Sequence, residues 1–393
     1  MAITVTTPPQ SVQPAHNEID YAISSTSTAQ PNFYFVADVN VSGQTNPVAR
    51  LIFPKQPSVT TLTLNVASVL KNYLSFDFTN IISLLSFIVA NTNSRAKYYV
   101  EFRELYDISS VPTLSAVLAT SPSSGTYQAT NAIFDFEDWT NNVLDSYNVN
   151  SGIWLNQNSF NNYIQAEQEI VLSYYDPGLA AVFVRVTTYN SAGGTIATSN
   201  IEDIVPVSGE FLYNMPSGAR LFTLLNLSWA NVDSYKVDLL GAGPAVIATK
   251  TIYIDSDCSF YDTYRLHWLN KLGGWDSYNF RKLSRQNEDI ERKQFKKFQN
   301  LNYNKYDRLK TNYHTKITDK ISLNSDWITD AQAEVFEQLI TSPAIYLERD
   351  TSTFIAINVT DSSYEQKKAV NERKLFNLTL EIEYSYERYR QAL

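Results

Sequence analysis

The chain has 393 residues, a formal charge of -9, and 26 Tyr, 20 Phe and 6 Trp against 12 Gly and 2 Met. That length supports two or three domains of ordinary size, and aromatic and β-branched residues in such numbers suit pleated, half-buried surfaces rather than a helix bundle. The single cysteine, Cys258, excludes an internal disulfide framework and suits a reducing site of synthesis.

The opening residues MAITVTTPPQ lack the basic and apolar regions of a signal peptide, and the longest apolar run, Ile81 to Ala90, is about half a membrane span. Cytosolic synthesis without membrane insertion is therefore expected, and the sequons at Asn226, Asn358 and Asn377 carry no glycosylation argument. Residues 1–30 are rich in Ser, Thr, Pro and Gln without a period, which predicts an extended arm that orders against a neighbour.

From Pro31 the runs NFYFVADVNV, VARLIFP and SVTTLTLNV alternate between Gly, Asn and Pro punctuation, the signature of hairpins with one buried face per strand. Val66 to Phe78 and Ile81 to Ala90 are apolar without a two-residue period, and a short helix is expected there. Strand composition returns at RAKYYVEFRELY, Arg95 to Tyr106, and SPSSG at 121–125 closes a β domain spanning 31–125. A second, sandwich-like β domain is expected over 126–255, with ATNAIFDFEDW, GIWLNQ and EIVLSYYD as its first β runs. Gly193-Gly194 sits between two alternating runs, where a tight hairpin needs residues tolerant of positive φ. Arg220 to Leu240 continues the strand pattern, and its Trp229 and Tyr235 are loosely similar to a fibronectin-type sandwich.

Residues 256–393 read as an α+β domain. Thr329 with Gln332 forms a capping box, Val335, Phe336, Leu339 and Ile340 make an apolar stripe at helical spacing, and Pro343 stops the helix. The runs AIYLER, FIAINV and LFNLTLEIEYSYERY follow as strands, so one helix is expected to cover a sheet. The fold class is thus mainly β, with N-terminal β-sandwich domains followed by an α+β domain.

Chemistry is sparse. His16, His267 and His314 share no short spacing, and neither HxxxH nor CxxC occurs, so no zinc site is expected. No GxSxG, GxxxxGK[ST] or GxGxxG pattern occurs either, and no catalytic residue, cofactor or metal is assigned. His267 reads as a packed or hydrogen-bonded structural residue beside Trp268 and Trp275. The acidic groups Asp135-Glu137-Asp138, Glu202-Asp203 and Asp255-Asp257 read as solvated strand ends or loops, with a calcium site as the lesser reading.

Acids exceed Lys and Arg by about ten before residue 256, while 281–320 is basic with aromatics interleaved. The acidic part argues against a nucleic-acid surface there and leaves only passive contact with DNA sliding through a channel. Two readings of 281–320 stand. Stacked aromatics would track a single nucleic-acid strand, whereas a pair of strands would turn aromatics to the core and cations to solvent or an acidic neighbouring copy. The second makes Arg281, Lys282, Arg285, Arg292, Lys293, Lys296, Lys297, Tyr303 and Tyr306 candidate assembly contacts in an extended hairpin. Aromatic β surfaces also bind sugars, so a carbohydrate- or receptor-binding module is the rival function.

The phrase DCSFYDTYRLHWLNKLGGWDSYNFRKLS, 257–284, the capped helix and the closing KAVNERKLFNLTLEIEYSYERYRQ resemble virion proteins of tailed phages that infect Bacteroidetes bacteria. FDFEDW followed by GIWLNQ and EIVLSYY is similar to the same class. The resemblance implies a non-enzymatic tail, baseplate or neck component of the virion, made in the host cytoplasm. It implies homo-oligomeric rings, contacts with other tail or neck proteins and no cofactor. The terminal domain is also similar to the tail-tube and distal-tail-protein fold, in which copies join sheets edge to edge around a channel.

Overall fold

The computed structural model describes residues 3–76, 78, 88–135, 137, 147, 152–156, 162–176, 182–204, 212–241, 245–255, 260–299, 301–350, 353–360 and 377–390. It is mainly β, with strands arranged in five sheets among the described residues. Strand Arg95–Ile108 shows why: RAKYYVEFRELYDI buries every second side chain from Ala96 to Tyr106, so one face is core and the other is not.

That strand lies in a seven-stranded sheet with Tyr34–Val41 and Ala49–Pro54. A three-stranded sheet of Ile3–Thr7, Asp20–Ser25 and Thr61–Asn65 packs across it. Tyr21, Ile23 and Leu64 from one sheet share a core with Phe35, Val39, Val100 and Phe102 from the other. The rings of Tyr21 and Phe102 meet edge to face at 5.4 Å.

The expected arm at 1–30 is therefore corrected. Residues 3–25 supply three strands, and Ile3, Ala15, Ile19, Tyr21 and Ile23 are buried. Ser and Thr dominate this stretch, but its few apolar residues alternate within ITVTT and DYAISS, and alternation decides burial where composition alone suggests disorder.

Between Val66 and Phe78 a single helical turn, Ala67–Leu70, runs into a 3-10 turn, Lys71–Tyr73. Residues 81–87 lie outside the described residues, and Val89–Ala90 is a short strand. The next core joins a five-stranded sheet to a three-stranded one through Val184, Val186, Tyr235, Val237, Leu172 and Tyr213. Its hairpin Val182–Tyr189/Thr195–Ile204 turns where Gly193-Gly194 predicts. Gly193 holds φ +78°, and Asn190 Oδ1 accepts from the backbone N–H of Ala192 and Gly194 at 3.1 and 2.8 Å.

Three expectations in this region fail locally. GIWLNQ and the end of ATNAIFDFEDW form no strand among the described residues; Leu155 N–H instead donates to Ser173 O at 2.8 Å and Asn156 bridges two other strands. Arg220 to Leu224 belongs to a helix, Ala219–Leu224, that stacks Phe222 on Trp229 at 3.6 Å. Gly218 begins that turn in such close contact that a Cβ would lie 2.3 Å from Gln168 O.

The last sheet has eight strands in the order Trp275–Phe280, Tyr264–Leu269, Ile345–Asp350, Thr353–Val359, Thr379–Tyr384, Lys310–Asn324 and Arg285–Lys296, with Arg388–Tyr389 also on Lys310–Asn324. The helix Asp330–Thr341 begins at its capping box, where Thr329 N–H donates to Gln332 Oε1 at 2.7 Å. Its Val335, Phe336 and Leu339 cover Leu266, Trp268, Ile321, Leu347 and Ile382 on one face of the sheet.

The opposite face meets the rest of the chain. Phe78 is buried there, 4.4 Å from Tyr346 and 4.5 Å from Trp275 between ring centroids. Beside it lies a buried polar seam. Arg265 donates to Glu169 O at 2.7 Å, Asn279 Oδ1 at 2.8 Å and Ser277 Oγ at 2.6 Å. Glu348 Oε2 accepts from His267 Nε2 at 2.7 Å. Glu169 accepts from the backbone N–H of Gly218, Ile170 and Arg220 at 2.6, 3.1 and 3.1 Å. Buried charges are tolerated only when bonded this densely.

Candidate functional site

Arg285–Lys296 and Lys310–Asn324 form a hairpin paired from Arg285↔Ser322 to Lys296↔Lys310, with Arg285–Lys296 as an edge strand. The neighbouring strand reaches only Lys320–Asn324, and Arg388–Tyr389 only Lys316 and Ile317. Beyond those contacts the hairpin runs on as two strands alone. Its near half is tied down by charge: Arg388 Nε meets Asp319 at 2.7 Å, Arg388 Nη2 meets Glu288 at 2.9 Å, Lys320 meets Asp289 at 2.6 Å, and Lys316 meets Glu387. The bond from Lys316 holds the Glu387 carboxyl below its usual range, and the bond to Asp289 raises the Lys320 ammonium.

The far half differs. From Ile290 to Tyr313 the sequence carries seven Lys or Arg against two acids. Among the described residues Arg292, Lys296, Lys305, Arg308 and Lys310 make no ion pair, and Lys293 reaches Glu291 only at 3.9 Å. Lys297 Nζ sits 5.9 Å over the Phe295 ring. The expectation that the aromatics of this stretch face the core is corrected: Phe298, Leu301 and Tyr306 are 93%, 98% and 82% exposed, and Phe295, Tyr303 and Tyr313 are exposed too. The strands project past the sheet, and although Thr311 is buried, the aromatics there find no core to meet.

Of the nine predicted contacts, Arg285, Arg292, Lys293 and Lys296 lie on the exposed edge strand, with Lys297, Tyr303 and Tyr306 in the connection beyond it. Arg281 and Lys282 do not. Arg281 bridges Asp255 and Asp326 at 2.8 Å each, and Lys282 adds a second bond to Asp326 at 3.1 Å, so both anchor the hairpin's root.

Sequence reasoning missed an open cleft of about 520 Å³ at that root. Strand alternation places Arg349, Tyr384 and Asp319 on the same face as Leu347, Ile382 and Ile321, where the helix no longer covers the sheet. Tyr384 and Tyr386 stack with centroids 5.5 Å apart at 30°. Gln286 is oriented by donating to Tyr264 OH at 2.9 Å, and Arg388 is fixed between Asp319 and Glu288. These groups come from separate strands, and only the spacing of Tyr384 and Tyr386 in EYSYERY hinted at a shared surface.

No three His, Cys, Asp or Glu converge as a metal site among the described residues. His16 bonds Asn131 at 2.9 Å, His267 is in the seam, and His314 lies 5.5 Å from the Tyr389 ring. Asp135 pairs with Lys271 at 3.0 Å and Asp255 with Arg281; Asp138, Asp257 and Cys258 lie outside the described residues, as do the side chains of Glu202 and Asp203.

No family model matches the chain, and no curated protein matches it. Among solved structures it is similar to the crystal structure of the calcium binding domain CBD12 of CALX1.1, at 12% identity and a TM-score of 0.19, covering 65% of this chain and 83% of that one. Overlap at that score says nothing about function.

Proposed function

We propose that this chain is a non-enzymatic structural subunit of a phage tail, baseplate or neck, located in the virion, that assembles into homo-oligomeric rings and contacts other tail proteins. In this reading the eight-stranded sheet with its covering helix takes the tail-tube role and its edge hairpin meets a neighbour. The observation that carries the reading is the projecting hairpin. A long edge strand is a hazard in a monomer, and Lys residues along an edge usually serve to keep it unpaired. Phe298, Leu301 and Tyr306 do the opposite, since apolar side chains exposed together on a protrusion gain from burial by a partner. The cations around them, several without an ion pair among the described residues, suit an acidic surface, and the first 255 residues supply about ten excess acids. Closing a ring would bury every such edge.

The test is the mass of the full chain in solution across a concentration series by light scattering. A discrete multiple of 44.6 kDa, growing with concentration, is the expected result. A strict monomer at every concentration would overturn self-assembly.

A further inference from the structure

We propose that the cleft at the root of the hairpin is a binding site for a saccharide carrying a carboxylate, such as a uronic acid. The inference stands apart from assembly, because the cleft is complete within one chain. Its volume of about 520 Å³ lies within the range of roughly 300–1,000 Å³ usual for small-ligand sites.

Three features select the ligand. First, Tyr384 and Tyr386 form a stacked pair, and Tyr386 is half exposed, so an aromatic face is open to the apolar C–H side of a sugar ring. Second, the polar groups are held in place before any ligand arrives. Arg388 is locked by Asp319 and Glu288, and Gln286 by Tyr264, which leaves remaining donors and acceptors on fixed supports. A sugar hydroxyl both donates and accepts, so it is matched by carboxylate, amide and guanidinium side by side. Third, Arg349 lines the cleft and makes no ion pair among the described residues, while its side chain bonds Tyr384. A guanidinium with a neutral neighbour suits a carboxylate in the two-pronged geometry that arginine favours. The other cations at the cleft are already matched, Arg388 by two acids and Lys320 by Asp289. A hydrophobic ligand would give the Arg349 guanidinium no charged partner and would cover the remaining donors and acceptors of the cleft without bonding them.

The test is saturation-transfer NMR and calorimetry on the full chain with glucuronic acid, glucose and acetate as probes. Glucuronic acid should bind about tenfold more tightly than glucose, the worth of one charge-assisted contact. Arg349→Gln should bring glucuronic acid down to the level of glucose, Tyr386→Ala should weaken both sugars, and both variants should melt as the parent does. Equal affinity for glucose and glucuronic acid, no binding of either, or an unchanged affinity in Arg349→Gln would overturn the proposal. Acetate binding as tightly as glucuronic acid would replace it with a simple anion site. Binding of an acidic peptide in the absence of sugar binding would replace it with a protein-docking site.

Discussion

Glu169 and Glu348 meet in the seam behind the eight-stranded sheet, where the backbone N–H of Glu169 donates to Glu348 Oε1 at 2.8 Å. Burial pushes the Glu169 carboxyl up to about 7, against three backbone donors that lower it. His267, on the other oxygen of Glu348, shifts the opposite way: burial lowers its pKa, and its Nδ1 has no hydrogen-bond partner among the described residues. Arg265 and Arg220 complete the charged groups facing this point.

These two shifts give stability slopes of opposite sign. Between about pH 4.5 and 7 the unfolded chain loses a Glu169 proton that the folded chain keeps, so this group's contribution falls by about 3 kcal/mol as pH rises. Below its ordinary pKa, His267 takes up a proton when unfolded but resists it when folded, so its contribution rises with pH in that region. Glu169→Gln should therefore leave stability increasing from pH 5 to 7, and His267→Gln should leave it decreasing. Urea melts of both variants at pH 5, 6, 7 and 8 check the signs, and parallel curves for the two would refute this assignment.

Phe78→Ala should cost about 3–5 kcal/mol, the range for emptying a buried aromatic site. Its ring is packed by Trp275, Tyr346, Phe354 and His267, which cannot all collapse into the space. Equilibrium unfolding followed by Trp fluorescence reads this directly.

Deleting residues 1–30 should unfold the first pair of sheets, because it removes Tyr21 and Ile23 from their shared core. Limited proteolysis should then cleave within residues 31–130 while the region after 260 stays protected. Unchanged protection throughout would show that these strands are dispensable.

Replacing Phe298, Leu301 and Tyr306 together by Ser should leave the melting curve within about 0.5 kcal/mol of the parent, as expected of exposed positions. The same variant should lower the concentration-dependent mass toward 44.6 kDa. Light scattering beside a thermal melt separates the two effects.

Alternation made most of the strands legible. RAKYYVEFRELY alternates and is buried at every second side chain, EIVLSYY is a nearly continuous run whose Val171–Tyr175 is buried throughout, and Thr329, Gln332 and the 335–340 stripe mark the terminal helix locally. The failures fall where tertiary context overrides local pattern. GIWLNQ has strand composition, yet Leu155 and Asn156 are held by backbone groups of Ser173, Val171 and Trp275, distant partners that composition cannot announce. The hairpin's basic and aromatic make-up was visible, but its aromatics face outward because the neighbouring strands stop at Lys316, a length mismatch that no single run displays. The cleft was hidden for the same reason, since Arg349, Asp319 and Tyr384 become neighbours only through sheet order.

The strand Val12–Pro14 runs parallel to Tyr127–Thr130, and Asn17 bonds the backbone of Phe134 in both directions. Closing so long a loop is slow in entropic terms. During synthesis Ile3–Thr7 and Asp20–Ser25 can pair with each other early, but Val12–Pro14 must wait unpaired until Thr130 has left the ribosome, so a segment near the start of the chain is among the last to be sealed. A cell making this protein must shield that waiting segment for the time it takes to translate more than a hundred residues.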